Sequence, residues 1–259
     1  MTLFYNDLSS YDVGFQVPAT APCVVSKATE GNYYMDKQYH NFEQQAKALN
    51  IPFSGYHFLI DSANFTPEDQ AAWYHGFAGN TPCMLDVETE GTSNPNVDDC
   101  NRFIKALAAL GGRVWAVYYP RWYWGRTGGN LASMGVPVIA SEYRSYDEVR
   151  WPLPYGGITP VIWQYTSSPH DTNAFKGTPE ELAALIYGDN VTPVDFWGWR
   201  NVALDQIDMR QRLVNAETNA EQANAKLDTL IKAVAALSVT TLDPKATADA
   251  ELAEIKAKL

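Results

Sequence analysis

The chain contains 259 residues, of which 46% are hydrophobic, and it carries a formal net charge of −11. That length is enough for one large barrel domain or for two domains of ordinary size. The isoelectric point near 4.7, without a clustered basic face, argues against nucleic acid as a partner. No stretch approaches eighteen consecutive apolar residues, so no membrane insertion is expected. The first residues also lack the basic and apolar regions of a signal peptide.

The composition of the chain changes near residue 200. All 8 Trp and all 15 Tyr lie at or before Trp199, and the residues that follow have a helical pattern. We therefore predict three parts: a barrel domain over residues 1-189, a linker over residues 190-200 and a helical tail over residues 201-259.

Short apolar runs alternate with longer amphipathic segments through the first part of the chain. Repetition of strand and helix is typical of the α/β class with a parallel sheet, and this number of strands favours a closed (β/α) barrel. After Tyr119 the helical patterns become short, so a distorted barrel with an irregular second half is expected. The predicted strands are Leu3–Asp7, Cys23–Lys27, Phe53–Leu59, Cys83–Glu88, Arg113–Tyr119, Val136–Tyr143 and Val161–Thr166, and the predicted helices are Lys37–Leu49, Pro67–Gly76 and Asn96–Leu110.

The chain has three cysteines, and an odd number fits a reducing compartment better than a disulfide framework. Cys23 and Cys83 are predicted on barrel strands with another strand between them. Their Cα atoms would then lie about 9 to 10 Å apart, which is too far for a disulfide. The four His residues have no metal-ligand spacing with each other or with Cys. Neither a metal nor a cofactor is expected.

The run from Cys83 to Glu88 ends in two carboxylates separated by one residue. If this run is a buried strand, alternation directs Asp86 and Glu88 into one cavity and Val87 to the other face. Like charges at that spacing cannot both ionise freely. One pKa should therefore rise toward the range in which a carboxylic acid can protonate a leaving group. The alternative is an acidic pair that caps the next helix or is solvated.

Polar or aromatic residues end each of the first five predicted strands. In (β/α) barrels the C-terminal strand ends form a rim on which side chains from different strands converge. The sequence therefore predicts a functional site at that rim. The residues concerned are Asn6 and Asp7, then residues 27–31, Tyr56 to Phe58, Asp86 with Glu88, and Tyr118 with Tyr119.

Six short motifs, taken in order, resemble those of the glycoside hydrolase family 25 lysozymes, and the resemblance covers roughly residues 3 to 187. It implies a distorted (β/α) barrel with N-acetylmuramidase activity. Such an enzyme cleaves the β-1,4 bond between N-acetylmuramic acid and N-acetylglucosamine in bacterial peptidoglycan. The motifs are Asp7-Leu8-Ser9, Lys27-Ala28-Thr29-Glu30-Gly31 followed by Asp36, Gly55-Tyr56-His57-Phe58, Leu85-Asp86-Val87-Glu88, Trp163-Gln164-Tyr165-Thr166 and Asp171-Thr172-Asn173.

Carried over motif by motif, Glu88 resembles the general acid of the family and Asp86 its partner carboxylate. Asp7 and Asp171 resemble two further acids of the groove. Glycosidic cleavage needs a protonated leaving oxygen and a stabilised oxocarbenium-like centre, and a cluster of carboxylates supplies both. Asp86 would stabilise an intermediate formed by the 2-acetamido group of the substrate. An inverting route, with Asp7 or Asp171 holding a water, is the alternative, and spacing alone does not choose between the two.

Several aromatic residues near the predicted rim could stack on the apolar faces of sugar rings. About half of such residues are expected in the core instead, because Tyr and Trp commonly bury a ring and expose a polar tip. Lys27 and Glu30 are interpreted as an orienting ion pair. The residues predicted to bind substrate are Tyr56, Tyr118, Trp163, Gln164, Tyr143 and Trp122.

The tail has a heptad pattern that is apolar at every step but one, which predicts a coiled-coil seam. Flanking charges, such as Asp205 with Arg210 and Arg212 with Glu217, are complementary in a parallel pairing. A parallel homo-oligomer through residues 201-237 is therefore expected. The seam positions are Val202, Gln206, Met209, Leu213, Ala216, Ala220, Ala223, Leu227, Leu230, Val234 and Leu237.

Two function classes fit these features. The first is a peptidoglycan hydrolase, either a phage endolysin made in the host cytoplasm without a signal peptide or a virion-associated protein that cuts the cell wall. The second is a virion- or tail-associated structural or wall-binding module on an inactive barrel, which the coiled coil would suit. Four acids favour the enzyme, because a binding module gains nothing from clustered buried carboxylates.

Overall fold

The structure is a computed structural model that describes residues 1–188 together with Trp197 and Lys256. The chain divides into two units, Met1–Arg200 and Asn201–Leu259, and the strands and helices of residues 1–188 belong to the first. The predicted linker over residues 190-200 and the predicted coiled-coil tail over residues 201-259 lie outside the described residues, apart from Trp197 and Lys256.

Nine strands, five α-helices and one 3₁₀ turn make up the described part of the first unit. The strands are β1 Thr2–Leu8, β2 Val24–Glu30, β3 Tyr34–Met35, β4 Phe53–Phe58, β5 Cys83–Asp86, β6 Val114–Tyr118, β7 Val138–Ser141, β8 Ile162–Thr166 and β9 Thr172–Lys176. The helices are α1 Tyr39–Leu49, α2 Pro67–Ala78, α3 Val97–Ala109, α4 Arg121–Thr127 and α5 Pro179–Tyr187, and the 3₁₀ turn is Leu131–Met134.

Eight of the strands close into a barrel in the order β1, β2, β4, β5, β6, β7, β8 and β9. The short strand β3 pairs with the C-terminal end of β2. The pairing of β1 with β2, in which Asp7 lies opposite Val25, completes the ring. The predicted closed barrel is therefore confirmed. The last strand, β9, runs antiparallel to both of its neighbours, β8 and β1. Its first residue consequently lies at the edge where the parallel strands end.

The two halves of the barrel differ, as the helical pattern of the sequence predicts. Helices of 11, 12 and 13 residues follow the strands of the first half. α2 and α3 begin with capping boxes, in which the Thr66 or Asn96 side chain caps the first turn and Asp69 or Asp99 bonds back to the cap residue. Among the described residues, the second half has only the seven-residue α4, the 3₁₀ turn and α5 after the last strand.

His57, on the outer face of β4, has a buried hydrogen-bond network that joins the barrel wall to α2. Ile60 N–H donates to Gln70 Oε1 at 2.9 Å and Gln70 Nε2 donates to Ile60 O at 2.8 Å, which fixes the orientation of the amide. His57 Nε2 therefore donates to Gln70 Oε1 at 3.1 Å, and its Nδ1 accepts from Thr29 Oγ1 at 2.8 Å. The ring also stacks on Phe103 at 4.8 Å. Burial lowers the pKa of His57 to about 3, so the ring is neutral.

The cysteines agree with the sequence interpretation, because Cys23, Cys83 and Cys100 are each buried and free. The strand β4 lies between the strands that begin beside Cys23 and Cys83. No helix in the described residues is both long enough and apolar enough to cross a bilayer.

Candidate active site

A groove of about 390 Å³ opens at the end of the barrel where the parallel strands finish. All four predicted acids line it, and so do four of the six residues predicted to bind substrate. The lining residues are Asp7, Ser9, Tyr11, Lys27, Glu30, Tyr56, Phe58, Met84, Asp86, Glu88, Glu90, Tyr118, Tyr143, Gln164 and Asp171. The rim predicted from strand ends is therefore where the structure gathers these side chains.

Asp7 comes from the end of β1 and is almost fully buried, with 8% of its surface exposed. Its Oδ2 accepts hydrogen bonds from Asn173 Nδ2 at 2.6 Å and from Gln164 Nε2 at 3.1 Å. Burial raises the pKa of Asp7, and the two amide donors oppose that rise because they stabilise the charged carboxylate. Asp7 is thus held in one position by β8 and β9.

Asp86 is the last residue of β5 and is also almost fully buried. Its Oδ1 is buried and has no hydrogen-bond partner in the structure. Burial and the nearby Glu88 charge raise the pKa of Asp86 well above its usual value, while Lys27 acts in the opposite direction. An unpaired buried acceptor of this kind is costly unless something binds to it. Asp86 therefore has an oxygen available to a substrate.

Glu88 lies two residues beyond Asp86, where the sheet pairing is just ending: Val87 N still donates to Tyr118 O at 3.0 Å. The alternation therefore continues past the strand, and both acids line the groove as predicted. Burial, with smaller contributions from Asp7 and Glu90, raises the pKa of Glu88 to about 7. The sequence attributed such a rise to the like charge of Asp86, whereas the structure gives burial as its largest cause.

Asp171 lies immediately before β9. Because β9 is antiparallel, the start of this strand lies at the same edge of the barrel as the ends of β1 and β5. Burial and the charge of Asp7 raise the pKa of Asp171 to about 7. A rule that looks only at the C-terminal ends of strands does not find this residue.

Lys27 lines the groove and places a positive charge near its acids. Its Nζ lies 2.7 Å from Glu30 Oε2, which confirms the predicted ion pair, and it lies over the Phe58 ring at 5.0 Å. The positive charge lowers the pKa of both Asp86 and Glu88 against the effect of burial. Lys27 therefore moderates the protonation of the two central acids.

Gln164 joins an exposed aromatic residue to a buried acid. Tyr143 Oη donates to Gln164 Oε1 at 2.9 Å, and the amide nitrogen of the same side chain donates to Asp7. The ring of Tyr143 is 57% exposed, whereas Gln164 is buried. Gln164 was predicted to bind substrate. In the structure its amide is engaged by the protein on both sides, so it positions Asp7 and Tyr143.

The predicted position of Trp163 in the groove is wrong. Because its neighbour Gln164 faces the groove, strand alternation directs Trp163 to the outer face of β8. There it is fully buried, its Nε1 donates to Glu142 O at 2.9 Å, and the Arg144 guanidinium lies 4.2 Å from its ring centre. Tyr146 stacks against it at 5.7 Å. Trp163 holds the segment after β7 against the barrel and does not line the groove.

A second cavity, of about 470 Å³, adjoins the groove and shares Glu88, Tyr118 and Tyr143 with it. Trp122, 47% exposed, lines this cavity, and its role in substrate binding stays a prediction. Arg121 beside it was not predicted. Tyr11, 95% exposed, lines the first groove and was also missed. β1 and β6, which precede Tyr11 and Trp122, lie four places apart in a ring of eight strands, so the two aromatic residues mark opposite sides of the rim.

A closed barrel with a groove lined by carboxylates whose pKa values are raised is the arrangement of a glycoside hydrolase, which needs both a proton donor and charged acceptors at one bond. No group of three or more His, Cys, Asp or Glu residues in the described part of the chain is arranged to hold a metal ion.

Comparison with known proteins identifies the family. The family model described as "Glycosyl hydrolases family 25" matches residues 6–173, a range that includes all four acids. The chain belongs to this family and is a glycoside hydrolase. No curated protein matched the chain by sequence.

Solved structures show the same fold. A muramidase from Trichobolus zukalii is 25% identical, with a TM-score of 0.60, and the match covers 72% of this chain and 99% of that one. A family GH25 lysozyme from Aspergillus fumigatus is 22% identical, with a TM-score of 0.60 and the same two coverages. The catalytic domain of the endolysin ply40, from a bacteriophage of Listeria monocytogenes, is 18% identical, with a TM-score of 0.54, and the match covers 73% of this chain and 98% of that one.

Proposed function

We propose that this chain is a muramidase that hydrolyses the β-1,4 bond between N-acetylmuramic acid and N-acetylglucosamine in peptidoglycan. The observation that carries the proposal is the convergence of Asp7, Asp86, Glu88 and Asp171 on one groove, with the pKa of Glu88 raised to about 7. Membership of family 25 and the fold shared with the T. zukalii muramidase support the choice of substrate.

Glu88 is the general acid in this proposal. Burial raises the pKa of Glu88 to about 7, near neutral pH, which suits an acid that must first donate a proton and later recover it. Its position just beyond β5, with part of its surface exposed, gives it access to the leaving oxygen.

Asp86 supplies the negative charge that stabilises the cationic intermediate in this proposal. Its unpaired Oδ1 can accept the N–H of a substrate 2-acetamido group and orient that group toward the anomeric carbon. The pKa of Asp86 is high in the empty groove, but a positive charge developing beside it favours its ionised form. The carboxylate then stabilises the cationic intermediate. This route retains the anomeric configuration.

The inverting route is distinguished by the product. If Asp7 or Asp171 activated a water, the new reducing end would form first as the α-anomer, whereas the route through the acetamido group gives the β-anomer. Proton NMR of product released by the wild-type enzyme, recorded before mutarotation, separates the two. We expect the β-anomer, because Asp7 is already bonded to two amides while Asp86 has an unpaired oxygen.

The main test uses purified cell walls and mass spectrometry of the released fragments. We expect muropeptides with N-acetylmuramic acid at the reducing end. The Glu88→Gln variant should lose at least about 10²-fold in rate, because the amide has no acidic proton to give to the leaving oxygen, while its fold is unchanged. Glu148→Gln is the matched control, since Glu148 is exposed and does not line the groove. Reducing N-acetylglucosamine, or freed peptides alone, would refute the proposed bond.

The proposed role is that of a phage endolysin, and the fold shared with the catalytic domain of ply40 is compatible with it. We further propose that residues 201-237 assemble the enzyme into a homo-oligomer, on the strength of the apolar heptad pattern in the sequence. Several barrels on one assembly would bind the wall more tightly through effective concentration. Light scattering of the full chain tests the assembly, and a monomer at micromolar concentration would refute it.

A further inference from the structure

The cavity beside the groove contains a positive charge that the mechanism does not use. Arg121 is exposed, lines this cavity with Trp122 and Tyr143, and makes no salt bridge within the described part of the chain. Its guanidinium carbon lies 5.9 Å from the centre of the Tyr155 ring. Arg121 is also the first residue of α4, where the helix dipole disfavours a cation. Helix stability therefore does not explain an arginine here.

The other charges of the cavity leave Arg121 available to an anion. Glu142 lines the same cavity, but its Oε1 accepts from Arg144 Nε at 2.9 Å. The remaining acid of the cavity is Glu88, the proposed proton donor. The cavity thus combines a guanidinium with two exposed aromatic rings, those of Trp122 and Tyr143. Aromatic faces suit the apolar side of a sugar, and a guanidinium suits a carboxylate, which it can bind through two parallel hydrogen bonds.

We propose that Arg121 binds a carboxylate of the substrate while a neighbouring sugar ring lies against Trp122 and Tyr143. This subsite adjoins Glu88, so the carboxylate would be recognised close to the bond that is cut. The inference rests on the proposed muramidase function. Two carboxylates of peptidoglycan could serve. In the intact polymer the lactyl group of N-acetylmuramic acid is amide-linked to the peptide, so the carboxylates belong to the stem peptide. In glycan stripped of peptide, the lactyl group itself is the carboxylate.

Three substrates separate these sources: intact peptidoglycan, glycan strands from which an amidase has removed the peptides, and the same strands with their lactyl groups converted to neutral amides. The variant is Arg121→Gln. Its matched control is Arg126→Gln, because Arg126 is exposed on the same helix and does not line either cavity. The measurement is kcat/KM, determined for wild type and for each variant on each substrate.

We expect Arg121→Gln to lower kcat/KM about 5- to 30-fold, the effect of losing a charge-assisted hydrogen bond at a partly exposed position. The loss should occur on intact peptidoglycan if the stem peptide supplies the carboxylate, or on the stripped strands if the lactyl group does, and either result supports the proposal. It should vanish on the neutral strands. Arg121→Lys should restore part of the rate, and Arg126→Gln should behave as wild type.

An unchanged rate on both carboxylate-bearing substrates would overturn the subsite, and so would a loss that persists on the neutral strands. The wild-type measurement tests the proposed function separately. A wild-type enzyme that released no reducing N-acetylmuramic acid from any of the three substrates would refute the muramidase assignment, and this inference with it.

Discussion

Replacement of His57 should remove an acid-sensitive part of the stability of the barrel. The ring is fully buried and neutral, bonded to Thr29 and Gln70, and its pKa is about 3 in the folded protein against 6.5 for an ordinary histidine. Because the folded pKa is the lower one, unfolded chains bind the proton first as the pH falls. Above about pH 6.5 the buried His57 ring does not lower the free energy of unfolding. As the pH falls from there toward 3, the free energy of unfolding decreases, because the unfolded chain binds a proton that the folded chain does not.

The size of the effect follows from the two pKa values. Each pH unit between them is worth about 1.36 kcal/mol, so acidification from pH 8 to pH 4.5, which crosses about two of those units, should cost the wild type roughly 3 kcal/mol of unfolding free energy through His57 alone. The groove acids, whose pKa values are raised, contribute in the opposite direction. Their contribution is common to wild type and variant, so it cancels in the difference between them.

Urea unfolding at pH 8 and pH 4.5 measures this difference for wild type, His57→Gln and His75→Gln. His57→Gln should be less stable than wild type at pH 8 but should lose roughly 3 kcal/mol less on acidification. His75, partly exposed on α2 with its Nε2 paired to Asn80 Oδ1, is the control and should leave the wild-type pH dependence intact. Equal losses for wild type and His57→Gln would show that the buried ring is not the group that titrates.

Two further predictions concern the acids. In the proposed mechanism Glu88 acts in its protonated form, so the kcat/KM of the wild type should fall as the pH rises through about 7. Glu90→Gln should move that decline to lower pH, since the charge of Glu90 raises the pKa of Glu88, and an unmoved profile would assign the decline to another group. Asn173→Leu removes the 2.6 Å donor to Asp7 and should raise the pKa of Asp7, which NMR titration of its carboxyl carbon would detect. An unchanged or lower value would contradict that account.

The parallel strands were predictable because they are buried on both faces and appear in the sequence as short apolar runs. β6, for example, has the sequence Val-Trp-Ala-Val-Tyr and is buried at every position. β9 was not predicted, because Thr172–Lys176 has three polar residues among five and no alternation with a helix to signal it. α4 was missed for a related reason: seven residues rich in Trp, Tyr and Gly are too few to show a helical period.

Strand alternation predicts which residues lie on the same face of a strand, but it does not say which of the two faces lines the groove. Asp86 and Glu88 are two residues apart, so alternation alone brings them together. Trp163 and Gln164 are adjacent, and both were predicted to line the groove. Neighbours on a strand face opposite sides, so the same rule could have excluded one of the pair from the sequence. Arg121 carried no such signal, because its place in the cavity depends on how α4 lies against the barrel.

Because β9 runs antiparallel to β8, the wall of the groove formed between these two strands can change in length during evolution without a change in any helix. β8 and β9 are joined at the catalytic edge by the five residues 167–171, which end in Asp171. The loops after β4 and β5 lead instead into helices that must still pack on the barrel. Insertions in the β8–β9 hairpin could lengthen one wall of the groove without displacing a helix. Relatives that cut differently modified cell walls would then be expected to differ more in this hairpin than in the loop after β5, which carries Glu88.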